Sequence, residues 1–327
     1  MKALLLQQPG SVDNLHVGDV PDPKPQTGEI RVRVGAIGLN PVDYKLAGRG
    51  NPAWTYPHIP GLDVAGTVDA VGPDTEGFES GDRVYYHGDL TRPGGYAEWA
   101  ITTAHTTAKI PEGVELATAA AIPCAGLTAY QGLIRRLDVQ AGQTVWVQGG
   151  AGGVGGFGIQ LCKARGATVI GTASSALKCK EITRAGAKHA IDTSKKDVAK
   201  EVAKITKGQG VDVVFDPVGK DTYETSLACL KDRGLLASFG GASGPVPDVN
   251  LNEFRYMARA WRLTRASLFN YTAGCEDLLH SSKRVFAMIR SGKVKVKIKQ
   301  RYALKDAVQM HKDIESRKLT GITMLVP

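Results

Sequence analysis

A glycine-rich turn between an apolar strand and an apolar helix constrains this chain more than any other feature. Thr144–Gln148 (TVWVQ) reads as a buried strand, Gly150-Ala151-Gly152-Gly153-Val154-Gly155 fits G-x-G-x-x-G, and Val154–Arg165 follows with helical character. In that context the glycines let the backbone approach a pyrophosphate, and the helix N-terminus supplies N–H donors and positive partial charge. The alternation continues through strands at Ala167–Thr172, Val211–Phe215 and Leu235–Phe239 and a helical stretch at Asp221–Lys231. Apolar strands alternating with helices predict a parallel sheet wound on both faces.

The flanking segments read differently. Glu29–Gly35 (EIRVRVG) alternates charged and apolar side chains at the period of a half-buried strand. Pro21-Asp22-Pro23-Lys24-Pro25 is a stiff extended connector ahead of it. Turn pairs at Gly81-Asp82 and Pro93-Gly94 punctuate short strands at Val64–Val71, Arg83–Tyr86 and Tyr96–Ile101. Near the other end, Cys275–Arg290 places Leu278, Leu279, Val285, Phe286 and Ile289 on one helical face, with Gly292 as its stop. Val294–Lys299 is expected to be a strand with one apolar and one lysine face.

Composition removes whole classes of function. At 327 residues, with 43% hydrophobic and 22% charged side chains, the chain has the make-up of an ordinary globular protein of about two domains. No apolar run approaches the ~20 residues that span a bilayer, and Ala3–Leu6 is too short for a secretory apolar core. The five cysteines (124, 162, 179, 229 and 275) contain no C-x-x-C pair, which fits a reduced, cytoplasmic protein without structural zinc. The net charge of +9 favours anionic partners in general and a phosphorylated cofactor in particular.

The strand after the glycine turn indicates which cofactor. A site for NAD usually carries Asp or Glu about 20 residues past the first glycine, to bind the ribose 2′-hydroxyl. Here no acidic residue occurs from Val139 to Lys180. Ser174, Ser175 and Lys178 instead offer hydroxyls and a positive charge suited to a 2′-phosphate. The cofactor read from the sequence is NADPH.

With these residues in view, the chain resembles the zinc-free quinone oxidoreductases, zeta-crystallin among them, of the medium-chain dehydrogenase/reductase superfamily. The resemblance runs through Gly38–Tyr44 (GLNPVDY), Ile59–Gly66 (IPGLDVAG), Pro123–Tyr130 (PCAGLTAY), Gln148–Gly155, Val214–Gly219 (VFDPVG), Thr264–Leu268 (TRASL) and Glu315-Ser316-Arg317. It implies an α/β fold in which a Rossmann-type doubly wound parallel sheet, residues 126–264, is inserted into a GroES-like β-rich catalytic domain made of 1–125 and 265–327. The active site is then expected in the cleft between the two domains. Zinc-dependent relatives hold a metal at positions that match Asn40, Leu62 and Cys124. Leucine cannot ligate and asparagine is a poor zinc ligand, so no metal site is expected. His58, His87 and His105 are scattered and read as surface or satisfied histidines.

The resemblance also implies residue roles. Asn40 and Thr128 line the nicotinamide site with Asp43 and Tyr44 nearby, Phe239 and Gly240 back the ring, and Arg265 and Arg317 reach cofactor phosphates. Thr128 as a helix cap and Asp43 as a loop salt bridge remain open at this point. Thr193 stands where many relatives have a tyrosine against the adenosine phosphate. Tyr44 and Tyr56 are both possible proton donors, as is water. Without a Lewis acid the site suits an acceptor that delocalises charge itself, either a quinone or an α,β-unsaturated aldehyde or ketone. The family resemblance further implies a homodimer or homotetramer. An RNA-binding role on a vestigial enzyme fold is a reading of another class, prompted by the +9 charge. Aromatics at 6% and the lack of an RNP motif count against it.

Overall fold

The computed structural model describes residues 1–249, 259–272 and 274–327. The chain forms two compact units, one of Met1–Leu127, Phe269–Gly292 and Val296–Pro327, the other of Thr128–Leu268 with Lys293–Lys295.

The first unit is β-rich. An antiparallel pair, β1 (Lys2–Leu6) and β2 (Leu15–Asp19), precedes the long β3 (Glu29–Leu39), the helix α1 (Pro41–Arg49), β4 (Asp63–Val71), β5 (Arg83–His87), β6 (Trp99–Thr103), β7 (Thr107–Lys109) and the short helix α2 (Leu116–Ala120). Its main sheet runs Ile298–Ala303, Ile322–Val326, β3, β4, β5, β7, and β6 also pairs with β3. The expected alternation of β3 holds over its first half, after which the strand is almost wholly buried because α2 covers it. The start of α1 follows local rules. Asn40 is the N-cap in extended conformation, Pro41 occupies the first turn, and Gly50, at φ 70°, ends the helix. The buried face of α1 carries Asp43, Leu46 and Ala47, so a carboxyl group occupies a core-facing position.

Three expectations need correction here. The strand expected at Tyr96–Ile101 is Trp99–Thr103, since Tyr96 is a buried core residue ahead of it. The helix Cys275–Arg290 has the expected ends, but Leu279 is 47% exposed; the buried stripe is Leu278, Ser281, Ser282, Val285 and Phe286. Helical spacing from Leu278 selects those two serines over its immediate neighbour, and their hydroxyls back-bond to Asp277 and Leu278 carbonyls. The strand expected at Val294–Lys299 lies at Ile298–Ala303, where exposure does alternate.

The second unit is a six-stranded parallel sheet. Its strands are β8 (Thr144–Val147), β9 (Thr168–Ala173), β10 (His189–Asp192), β11 (Val211–Asp216), β12 (Leu230–Ser238) and β13 (Arg262–Arg265). They lie in the order β10-β9-β8-β11-β12-β13, every pair parallel, which is the doubly wound nucleotide-binding arrangement. The helices α3 (Gly153–Ala164), α4 (Ala176–Ala185), α5 (Val198–Ile205) and α6 (Tyr223–Cys229) connect them. Each central strand is apolar on both sides. Val145, Val147, Val213 and Phe215 enter one core, while Trp146, Ile170, Val214 and Leu236 enter the other. At roughly 1.5–3 kcal/mol for each fully buried large apolar side chain, these two layers dominate the stability of the sheet.

Candidate active site

In the second unit the expected cofactor residues gather at the carboxyl ends of the parallel strands, where open α/β sheets bind ligands. After β8 the chain turns at Gly149, φ 59°, and the Gly150 N–H donates to the Thr172 carbonyl at the end of β9. Gly152 is the N-cap of α3 and no side chain caps that helix. A Cβ on Gly155 would lie 2.4 Å from the Gly149 oxygen and 2.7 Å from the Gly150 Cα, so only glycine lets the helix pack against its own turn. A Cβ on Gly152 would meet the protein only at ordinary distance, 3.4 Å, which leaves space beside the turn. An uncapped helix start next to a glycine-rich turn, Gly153-Val154 at its end, fits a pyrophosphate.

The neighbouring strand ends complete this edge. Ser174 is exposed after β9, and Ser175 is the N-cap of α4, its hydroxyl accepting from the Lys178 N–H at 3.4 Å. Lys178 thus stands in the first turn of a helix, where the macrodipole disfavours a cation and an added anion would compensate. Thr193 follows β10 and donates to the Ala173 carbonyl at 3.3 Å. Phe239 follows β12 and stacks on Phe215, centroids 4.0 Å apart. A Cβ on Gly240 would come 2.2 Å from the Pro217 oxygen, so glycine is required there too. Arg265 closes β13 and donates to the Gly240 carbonyl at 3.1 Å.

The loop after β11 is held by a group for which the sequence reading assigned no role. Asp216, buried, accepts from the Val218 and Gly219 N–H groups at 2.6 and 3.1 Å and from Thr222. Burial raises its pKa above the usual carboxylate range despite these bonds. Thr128 lies inside the short helix Leu127–Ala129, between π-helical turns at Ile122–Gly126 and Tyr130–Arg136, and so is not a helix cap. Helical turns of this kind occur frequently at functional sites.

The first unit holds the remaining expected residues. Asn40 is 7% exposed; its N–H donates to Asp43 Oδ2 at 2.7 Å and its Nδ2 to Asp63 Oδ2 at 2.9 Å. Asp43 is therefore a buried helix-start residue rather than half of a loop salt bridge. Burial pushes its pKa up to about 8; the Asn40 N–H opposes the rise and the charge of Asp63 adds to it. Tyr44 is half-buried, and desolvation raises its phenol although the Arg317 charge pulls the other way. Arg317 itself adopts φ 57° at the end of the helix Ala307–Glu315. Among the histidines, His58 is buried against Trp54 and held neutral, its pKa lowered to about 4 by desolvation, and His105 is exposed. His87 differs, for its Nδ1 lies 2.5 Å from Asp63 Oδ1.

Comparison with known proteins places these features. Residues 26–112 match the alcohol dehydrogenase GroES-like domain, and residues 153–281 match the zinc-binding dehydrogenase family. A quinone oxidoreductase of Pseudomonas aeruginosa is 38% identical over 319 residues, covering 97% of each chain. This chain belongs to the quinone oxidoreductases of the medium-chain dehydrogenase/reductase superfamily. The crystal structure of the Escherichia coli quinone oxidoreductase complexed with NADPH superposes with a TM-score of 0.95, at 34% identity and full coverage of both chains. A 2-haloacrylate reductase of a Burkholderia species is 32% identical, covering 99% of this chain and 98% of its own length. The expected Rossmann and GroES-like architecture is borne out.

Proposed function

We propose that this chain is an NADPH-dependent quinone oxidoreductase that transfers a hydride to a quinone without zinc. The observation that carries the reading is the carboxyl edge of the parallel sheet, where a glycine-rich turn and an uncapped helix adjoin Lys178 with no acidic residue between Val139 and Lys180. Gly150, Gly152, Gly153, Val154 and Gly155 hold the pyrophosphate, and Ser174, Ser175 and Lys178 the 2′-phosphate. Thr193, Phe239, Gly240, Arg265 and Arg317 complete the cofactor contacts. Bound NADPH supplies the hydride.

In this reading Asn40, Tyr44 and Thr128 orient the reacting groups, and Asp43 supports Asn40 from the core side through its N–H. Near-attack positioning replaces Lewis-acid activation, which an acceptor that delocalises its own charge does not need. The five cysteines form no disulfide, which supports a reducing compartment such as the cytoplasm. No helix among the described residues is long and apolar enough to cross a membrane. A homodimer or homotetramer is the assembly the family likeness supports, and sedimentation equilibrium measures it.

The relationship to a 2-haloacrylate reductase favours one second reading, reduction of an activated carbon–carbon double bond. Steady-state turnover of NADPH and NADH with a panel of quinones, enals and enones, with product analysis, separates the two. Quinone turnover with NADPH preferred is the expected result. Turnover confined to enals or enones would transfer the assignment to the second reading.

A further inference from the structure

A single buried carboxylate gathers three segments of the first unit. Asp63, 1% exposed at the start of β4, accepts from Asn40 Nδ2 and from the Cys124 backbone N–H, both at 2.9 Å and both on Oδ2. Its other oxygen, Oδ1, lies 2.5 Å from His87 Nδ1. Burying a carboxylate is costly unless several donors reach it, and three do. A carboxylate only accepts, which settles two orientations. The Asn40 amide must turn its NH2 toward Asp63 and present its oxygen elsewhere. The His87 ring must carry hydrogen on Nδ1. The ring also rests on Phe269, centroids 4.8 Å apart.

We propose that Asp63 is the positioning residue of the reducing site: it fixes the Asn40 carboxamide, the Cys124 backbone and the His87 tautomer without touching the acceptor. This rests on the reading of Asn40 as a contact of the reacting groups. Outer partners that orient contact residues are commonly worth about 10- to 100-fold in activity, by analogy with metal sites.

The test is Asp63→Asn, which keeps the shape and replaces one acceptor oxygen by a donor. Quinone turnover, kcat, should fall at least about tenfold while the Kd for NADPH stays within about twofold. In a cycle with Asn40→Ala, the second substitution should add little to the first, because both act through one amide. Nitrogen-15 NMR of histidine-labelled protein, with His87 assigned by His87→Gln, supplies a readout independent of turnover. Hydrogen should sit on Nδ1 in the wild type and move to Nε2 in Asp63→Asn. Additive losses in the cycle, turnover within twofold of wild type, or wild-type His87 with its hydrogen on Nε2 would each overturn the proposal. If the wild type reduces no quinone, the functional reading fails and the wild-type tautomer alone decides the role of Asp63. The same spectrum decides it if Asp63→Asn does not fold.

Discussion

The nucleotide edge of the second unit and the knot around Asp63 in the first present polar groups in opposite ways. The edge is made chiefly of backbone: a turn at Gly149–Gly155 in which five of seven residues are glycine, and an uncapped helix start. The knot is made of side chains: a carboxamide and an imidazole, each bonded to one buried carboxylate. A site made of backbone is damaged by adding atoms and is indifferent to the chemistry of its own residues. A site made of buried side chains is damaged by changing one donor or acceptor while its volume stays the same. Each can therefore be broken by a substitution that the other would tolerate.

The largest effect is expected from adding one carbon at the edge. Gly155→Ala sets a Cβ 2.4 and 2.7 Å from two backbone atoms that cannot rotate away. Overpacking of this kind costs about 1–3 kcal/mol, and the upper end is expected because both neighbours are backbone. If the turn moves to relieve the strain, NADPH affinity should drop by up to about 150-fold. Gly156→Ala is the internal control, since its Cβ meets nothing within 4 Å. It should leave affinity unchanged and stabilise the helix by up to about 1 kcal/mol. Thermal melts and fluorescence titration with NADPH measure both; equal behaviour of the two variants would refute the close-packing argument.

The next effect sharpens the same edge by removing one of its charges, that of Lys178. A charge-assisted contact to a 2′-phosphate contributes about 1.5–3 kcal/mol, or roughly 10- to 150-fold in affinity. Lys178→Ala should raise KM for NADPH by such a factor while kcat and KM for NADH stay nearly constant, because the contact is remote from the hydride. Equal weakening of both cofactors would show that Lys178 does not read the 2′-phosphate.

How legible each region was in the sequence follows from the same contrast. The nucleotide edge is written in short-range pattern: glycines two and three apart, an apolar strand before them, and an acid-free strand after. Period and spacing therefore placed β8, α3, β9 and β11 to within a residue or two. The knot is written in strand register. Asp63 lies opposite Gly38 on β3 and opposite His87 on β5, pairings that no local pattern displays. The sequence accordingly presents His87 as a surface or satisfied histidine and suggests no role for Asp63. The exposed Leu279 and the displaced strand at Ile298–Ala303 have a related origin, for tertiary packing chose between adjacent apolar positions that periodicity alone ranks almost equally.

A smaller effect tests Asp43, the acid that accepts from the Asn40 N–H. Asp43 has a folded pKa of about 8 against an ordinary value of 3.8. Between those values the native state holds a proton that the unfolded chain has released, so its contribution is full below about pH 4 and is lost as pH rises toward 8. Buried His311, lowered to about 4 by desolvation, acts in the opposite sense below its unfolded value. The comparison must therefore be with Asp43→Asn rather than with pH alone. Urea unfolding at pH 5 and pH 8 should show a larger loss in the wild type than in that variant. Parallel losses would mean that Asp43 is ionised in the folded protein.

The smallest expected effect is none, from metal removal. Catalytic zinc needs three protein ligands, and positions 40, 62 and 124 supply one thiol at most. Leu62 has no donor atom, and it packs in the apolar core beside Val64 and Tyr96. Asn40 spends its amide nitrogen on Asp63, which leaves only its weakly basic oxygen. Dialysis against a strong chelator should leave NADPH–quinone turnover unchanged. Stoichiometric zinc in active protein, with turnover lost on its removal and restored on its return, would show that the knot around Asp63 supports a metal rather than orienting an amide.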